Sequence, residues 1–272
     1  MTAVPVFLYH SVSSDPPSWI APFTVRPRDF AEQLDVIADS GLRIVPLARL
    51  VEAQRGGPPL PARSAVLTFD DGFADFHSTV LPLLTRRGMP ATLYVTTGAL
   101  RGRAGGPEDD VFPPESRMLS WRQLVPLELY GVEIGGHTRT HPQLDTLPAP
   151  RAWDEVAGCR RDLEDFLGHS VTAFAYPHGY SSPSVRDQVR AAGWTSATAV
   201  RDAFSSADDD PLRIARLMVR ADTDRDRFRQ WTAGAAAPVA PFAESPRTKG
   251  WRAYRRLRAR LNVPYKAVSG GL

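Results

Sequence analysis

Ser64-Ala-Val-Leu-Thr-Phe-Asp70-Asp71-Gly72 is the stretch on which the reading of this chain turns. Ala65, Val66, Leu67 and Phe69 form a short apolar run, the pattern of a strand covered on both faces. Two adjacent carboxylates at its end are out of place in that setting. Neighbouring residues at a strand end point to opposite sides, so Asp70 and Asp71 divide between two tasks rather than forming one dyad. Gly72 permits a sharp turn and the close approach of a ligand. Asp-Gly is also a common turn dipeptide, so the stretch alone allows a plain turn.

A second motif shifts that balance. Residues 132–134 read as another strand, and Gly135-Gly136 open into His137-Thr-Arg-Thr-His141. Two imidazoles four residues apart, just past a strand end, can converge on one metal ion. Catalytic zinc takes three protein ligands and keeps one position for water. One carboxylate of the Asp70/Asp71 pair would complete the set.

Outward from these motifs, apolar runs alternate with helical spacings. Strands are expected at 4–9, 43–45, 65–69, 91–96, 132–135, 172–176, 195–200 and 214–219. Helices are expected at 28–40, 76–87, 151–167, 183–192 and 224–233, with Pro82 as a bend in the second. Such alternation implies a parallel sheet with helices outside it. Seven to eight strands point to an α/β fold, a distorted (β/α) barrel with its chemistry at the C-terminal strand ends. Residues 101–117 are rich in Gly, Pro and charge and are expected as a long loop at the rim. The acidic run Asp208-Asp209-Asp210 lacks metal-ligand alternation and reads as a loop.

With 272 residues and 43% apolar content, one large domain suffices. It is assigned to residues 1–235, followed over 236–272 by a Pro/Ala-rich linker and a basic tail. The net charge of +3 is misleading, because residues 247–272 hold eight Lys or Arg and no acid. The remainder carries 25 basic and 30 acidic residues, a net −5. A mildly acidic body without a binding motif speaks against nucleic acid as a partner. In the tail, Trp251, Tyr254, Leu257 and Leu261 share one helical face. That face is expected first to dock on the barrel with the arginines solvated. The second expectation is contact with an anionic membrane surface through 247–262. No stretch approaches spanning length, and residues 4–9 are too short for a leader's apolar segment. A single cysteine, Cys159, excludes an internal disulfide and falls in an apolar helical register, as a packed thiol does. These features set the expectation of a cytoplasmic protein, peripheral on the inner membrane face if the tail makes that contact.

Thr68-Phe-Asp70-Asp71-Gly72, His137-Thr138-x-x-His141 and Tyr176-Pro177-His178-Gly179 resemble the first three motifs of the polysaccharide deacetylases, carbohydrate esterase family four. The similarity covers roughly residues 4–220. It implies metal-dependent hydrolysis of N-acetyl groups on amino sugars. It also implies Asp70 as general base and Asp71, His137 and His141 as ligands of one divalent ion. Zinc comes first, with cobalt, nickel or manganese as alternatives. The oxyanion would be met by a main-chain N–H at His178. The family's third motif opens with an arginine that braces the base, and here that position is Ala175. Arg213, Arg216 and Arg220 are candidates to replace it, and Arg216 is the expected one. Leu8-Tyr9-His10 and Phe174-Ala175-Tyr176-Pro177 resemble the subgroup of poly-N-acetylglucosamine deacetylases, which would make His10 the general acid. Tyr176 and Pro177 are expected at the substrate. Trp121 either starts a helix behind the Ser120 cap or offers its face to a sugar ring. The substrate implied is an N-acetylglucosamine-type glycan, glycolipid or small glycoside. An amidase or cyclic-imide hydrolase on the same metal site is one alternative. A silent glycan-binding descendant is another, and the intact Asp70, Asp71, His137 and His141 argue against it.

Overall fold

A strand that is apolar on both faces needs cover on each side, and a chain that alternates such strands with amphipathic helices supplies it. The computed structural model describes residues 3–102, 117–243 and 246–261. Its strands are β1 (Val6–Tyr9), β2 (Ser11–Val12), β3 (Thr24–Val25), β4 (Arg43–Ile44), β5 (Ser64–Phe69), β6 (Ala91–Val95), β7 (Val132–Gly136), β8 (Ala173–Ala175), β9 (Ser196–Thr198) and β10 (Leu217–Met218). The helices are α1 (Pro27–Asp39), α2 (Leu47–Gln54), α3 (Leu81–Thr85), α4 (Trp121–Glu128), α5 (Ala149–Leu167), α6 (Pro183–Ala191), α7 (Arg225–Thr232) and α8 (Pro246–Arg260).

Seven strands follow one another in the order β10-β1-β5-β6-β7-β8-β9, with β4 also beside β5, and every pairing is parallel. A further parallel bridge, Thr198 to Ile214, joins the end of β9 to the segment entering β10. The sheet thereby curls into a distorted (β/α) barrel. Every residue of β1 and β5 is buried, as their continuous apolar runs require. Parallel pairing brings the C-terminal strand ends to one mouth. Asp70 and Asp71 follow β5 there, His137 follows β7, Tyr176 follows β8 and His10 follows β1.

Several elements differ from expectation. The helix expected over 76–87 opens with a π turn, Phe76–Val80, before α3, where Pro82 has no N–H to give to a regular ladder. Helix α2 had no counterpart; it buries Leu47, Leu50 and Val51. Of the expected rim loop, residues 103–116 lie outside the described residues. Trp121 is not a sugar platform. It is 2% exposed, its ring 5.0 Å from that of Phe166, because α4 begins against the core. The Ser120 N–H donates to Gln123 Oε1 at 2.9 Å and closes that helix start. Residues 236–243 run along the barrel rather than away from it. Ala240 is fully buried and its N–H donates to the Phe204 carbonyl at 2.9 Å. Cys159 is buried, and burial pushes its thiol up to about 12.

The basic tail forms α8 and docks, but of the face expected inward Trp251 alone among the four is half-buried against the barrel, through Tyr180. Arg255 is 5% exposed, whereas Tyr254, Leu257 and Leu261 are 50, 57 and 64% exposed. The helix docks through an arginine because a buried acid, Asp145, is there to receive it at 2.7 Å.

Candidate active site

Asp70 and Asp71 do part company as adjacent residues at a strand end must. Asp71 has a left-handed backbone (φ 74°), as does Gly72 (φ 87°), and the chain turns sharply between them and Phe73. The Asp70 carboxylate accepts two hydrogen bonds from Arg216, at 2.7 and 2.8 Å. The same guanidinium donates to Thr68 Oγ1 (3.2 Å) and the Ala199 carbonyl (3.3 Å) and is fully buried. A planar fork on both carboxylate oxygens is the geometry that arginine alone provides. Burial works against the Asp70 charge, but Arg216 and His137 outweigh it and hold the carboxyl below its ordinary value.

Asp71 faces the histidines. Its Oδ1 lies 3.4 Å from His137 Nε2 and 3.3 Å from His141 Nε2, and the two Nε2 atoms are 3.1 Å apart. His137 Nδ1 lies 2.8 Å from the Ala175 carbonyl. A carbonyl only accepts, so Nδ1 carries a proton and Nε2 is the nitrogen turned to the cluster; against burial, the carboxylates of Asp70 and Asp71 raise the His137 pKa. Two such nitrogens at 3.1 Å beside a carboxylate are poorly placed for one another and well placed for a cation between them. The donor set passes a second test. Asp71 Oδ1 is buried without a hydrogen-bond partner among the described residues. Among them, Asp71, His137 and His141 are also the group whose ligand atoms all fall within 4.8 Å of one another. One carboxylate and two imidazoles suit zinc and its neighbours. Burial pushes His141 down to about 3, so it is neutral, as its ligation requires.

The loop carrying the histidines is strained, with left-handed Thr138 (φ 67°) and His141 (φ 59°). What holds it was not visible in the motif. Glu155 on α5 accepts the N–H groups of Arg139 and Thr140, both at 2.9 Å, and the Thr140 hydroxyl. Asp162, two turns further, takes Arg139 Nε and Nη2 at 2.8 Å each. The spacing of Glu155 and Asp162 puts both on one helix face, a signal that could have set them apart from solvated acids. Asp209 was likewise missed. It is buried, and its Oδ2 accepts the Ala215 N–H at 2.8 Å, fixing the residue before Arg216.

His10 stands within electrostatic reach of Asp71, Asp70, Arg216 and His137. Burial lowers its pKa against the pull of the two aspartates. Its Nδ1 has no hydrogen-bond partner among the described residues, and its ring centroid is 5.5 Å from that of Phe23. His178 packs edge-on to His141 with centroids 4.7 Å apart. Tyr176 and Pro177 are buried, and the Tyr176 hydroxyl donates to the Leu212 carbonyl at 2.9 Å. The Tyr176 ring therefore serves the core, not a substrate face. The structure thus brings together Asp70, Asp71, His10, His137, His141, His178 and Arg216, and leaves Trp121 and the Tyr176 side chain outside.

Known proteins are similar to this chain in sequence and in fold. The family model described as "Polysaccharide deacetylase" matches residues 57–197. A putative polysaccharide deacetylase of Bacillus subtilis, YxkH, is 22% identical over 218 residues, 79% of this chain and 71% of that protein. The poly-beta-1,6-N-acetyl-D-glucosamine N-deacetylase of Escherichia coli is 41% identical over 68 residues, 25% of this chain but 10% of that protein. Among solved structures, the Streptococcus pyogenes deacetylase PplD superposes with a TM-score of 0.73 at 21% identity, over 84% of this chain and 97% of that one. IcaB from Ammonifex degensii gives 0.71 at 23% identity, over 85% and 96%. The two structures share the fold, while the family model spans half of the chain and includes both aspartates and both histidines of the cluster. The chain belongs to the polysaccharide deacetylase family.

Proposed function

We propose that the chain is a metal-dependent N-deacetylase of N-acetylglucosamine-type sugars, with Asp71, His137 and His141 as the ligands of one divalent ion, zinc by preference. The observation that carries this reading is the division of labour at β5. Asp70 is tied to a buried guanidinium beside an Asp/His/His cluster whose ligand atoms all converge within 4.8 Å of one another.

When bound, the ion supplies Lewis-acid polarisation of the acetyl carbonyl and a lowered pKa for water at the site. Asp70, kept ionised and oriented by Arg216, accepts the proton of the attacking water. The main-chain N–H of His178 is the proposed donor to the oxyanion. His10, on the β1 side of the mouth, gives a proton to the departing amine nitrogen, without which the C–N bond breaks slowly. Arg216 acts through Asp70.

The substrate class is supported by the family and by the poly-beta-1,6-N-acetyl-D-glucosamine deacetylase among the relatives. The setting we propose is the cytoplasm, with the outer face of α8 against an anionic membrane surface. Its exposed Tyr254, Leu257 and Leu261 support that contact. Among the described residues, no helix is long and apolar enough to cross a membrane.

The test is acetate release from N-acetylglucosamine oligomers, small glycosides, lipid-linked sugars and simple amides, with metal stripped and restored. Activity should require metal and favour the sugars. His141→Ala should lose metal and activity together. Asp70→Asn should keep metal and lose about 10²–10⁴ in kcat. Full metal occupancy in His141→Ala would sink the ligand assignment, and preferred turnover of simple amides would sink the sugar.

A further inference from the structure

Beside the Asp71 turn, two loops from different strands border the metal-ligand cluster. Residues 137–146 follow β7 and carry His137 and His141. Residues 176–180 follow β8 and carry His178 and Tyr180. The second loop is strained, since His178 has a left-handed backbone (φ 57°). Loops of this kind keep their shape only where neighbours over-determine it.

One residue of α8 touches both. Arg255 donates to Asp145 at 2.7 and 3.2 Å and to Gln143 Oε1 at 3.0 Å, all on the first loop. Its guanidinium lies 3.4 Å from the ring centroid of Tyr180, on the second. Tyr180 stacks on His178 at 6.1 Å, and His178 packs on the ligand His141 at 4.7 Å. Trp251, one turn earlier in α8, donates its indole N–H to the Tyr180 hydroxyl at 3.3 Å. Arg255 is buried and the Asp145 side chain is fully buried, so the ion pair is poorly screened by solvent.

We propose that Arg255 is a positioning residue of the active site. From outside the family's matched segment, it clamps the β7 loop to the β8 loop and holds Tyr180 against His178, and His178 against His141. The clamp rests on the deacetylase reading above for its kinetic consequence, though not for its effect on the metal. Its loss should lower kcat rather than binding of substrate, because His141 would hold the ion that polarises the reacting carbonyl and the His178 main chain would donate to the oxyanion.

The experiment compares Arg255→Ala, Arg255→Lys and Tyr180→Leu with the wild-type full chain. It reads kcat and KM for acetate release and the visible spectrum of the Co2+-substituted protein. Arg255→Ala and Tyr180→Leu should lower kcat about 10–100-fold with KM near the wild-type value. Both should also shift the Co2+ bands. Arg255→Lys should recover part of the loss, since lysine keeps a charge for Asp145 but not the planar stack on Tyr180. Wild-type kcat and an unchanged Co2+ spectrum in Arg255→Ala would overturn the proposal. If that variant does not fold, the same result in Tyr180→Leu overturns it. A wild-type protein that releases no acetate defeats the deacetylase reading instead, and the Co2+ bands of the variants still decide the clamp.

Discussion

At the scale of single residues, the site is governed by what faces each titratable group. Asp70 and Asp71 are adjacent and chemically identical, and only their partners separate them. Asp70 stays ionised because Arg216 outweighs burial. With Arg216→Met, burial prevails and the Asp70 pKa rises, so the acid limb of the kcat/KM profile should move to higher pH. The depressed pKa of wild-type Asp70 adds stability at neutral pH that is lost as pH falls through it. The variant should therefore lose about 3–5 kcal/mol at neutral pH, read by denaturant unfolding, and show a flatter acid limb of stability. An unmoved acid limb would show that Asp70 is not the base. His10 gives the opposite limb. Burial sets it below the usual imidazole value of about 6.5, and a cation at the cluster pushes the same way. If His10 works protonated, the rate should fall as pH rises through that lowered pKa, and His10→Gln should abolish this limb while retaining metal. A His10→Gln profile that matches wild type ends the assignment.

Elements decide whether the ligands can meet at all. His137 leaves β7 through Gly136, where a Cβ would come within 2.4 Å of Trp194 and 2.9 Å of Cys159. The close packing of α5 on that strand depends on this bare backbone. The same helix delivers Glu155 and Asp162 to the left-handed turn that folds His141 back toward His137. Glu155→Ala removes the acceptor for two partly buried N–H groups, at about 1–3 kcal/mol each. It should also weaken zinc affinity about 10–100-fold, because the turn no longer holds His141 in place. Competition with a chromogenic chelator measures the affinity, and calorimetry the stability. Unchanged affinity in the folded variant would reduce Glu155 to a structural role.

For the whole molecule, charge is the organising asymmetry. An acidic body of net −5 carries an arginine-rich helix on its rim. That helix turns Arg255 inward onto Asp145 and leaves Tyr254, Leu257 and Leu261 exposed. Each Lys or Arg near an anionic bilayer contributes about 1 kcal/mol, falling with salt. Vesicles containing phosphatidylglycerol should therefore sediment the protein at low ionic strength and release it as salt rises. Leu257→Glu with Leu261→Glu should reduce binding without altering turnover of soluble substrate. Retention of full binding by that double variant would remove the apolar face from the contact.

The barrel and the donor set were legible in the sequence, because both are written in short-range pattern. Apolar runs of four to six residues mark strands covered on both faces, and the metal donors sit immediately after two of them. Three-dimensional partners are not written that way. Arg216 reaches Asp70 across 146 positions, and the pairing was expected only because Ala175 leaves a place for an arginine. Arg255 reaches Asp145 across 110, and there the pattern misled, since amphipathic spacing weighs apolar area and is blind to a distant buried acid. Trp121 and Tyr176 misled for a related reason: an aromatic ring beside a site may equally complete the core, and only packing distinguishes the two. The residue types of the proposed chemistry were thus determined by the sequence alone. Which charge neutralises which, and which face of α8 turns inward, was decided by the tertiary structure, because burial makes an ion pair's worth depend on where the chain has folded.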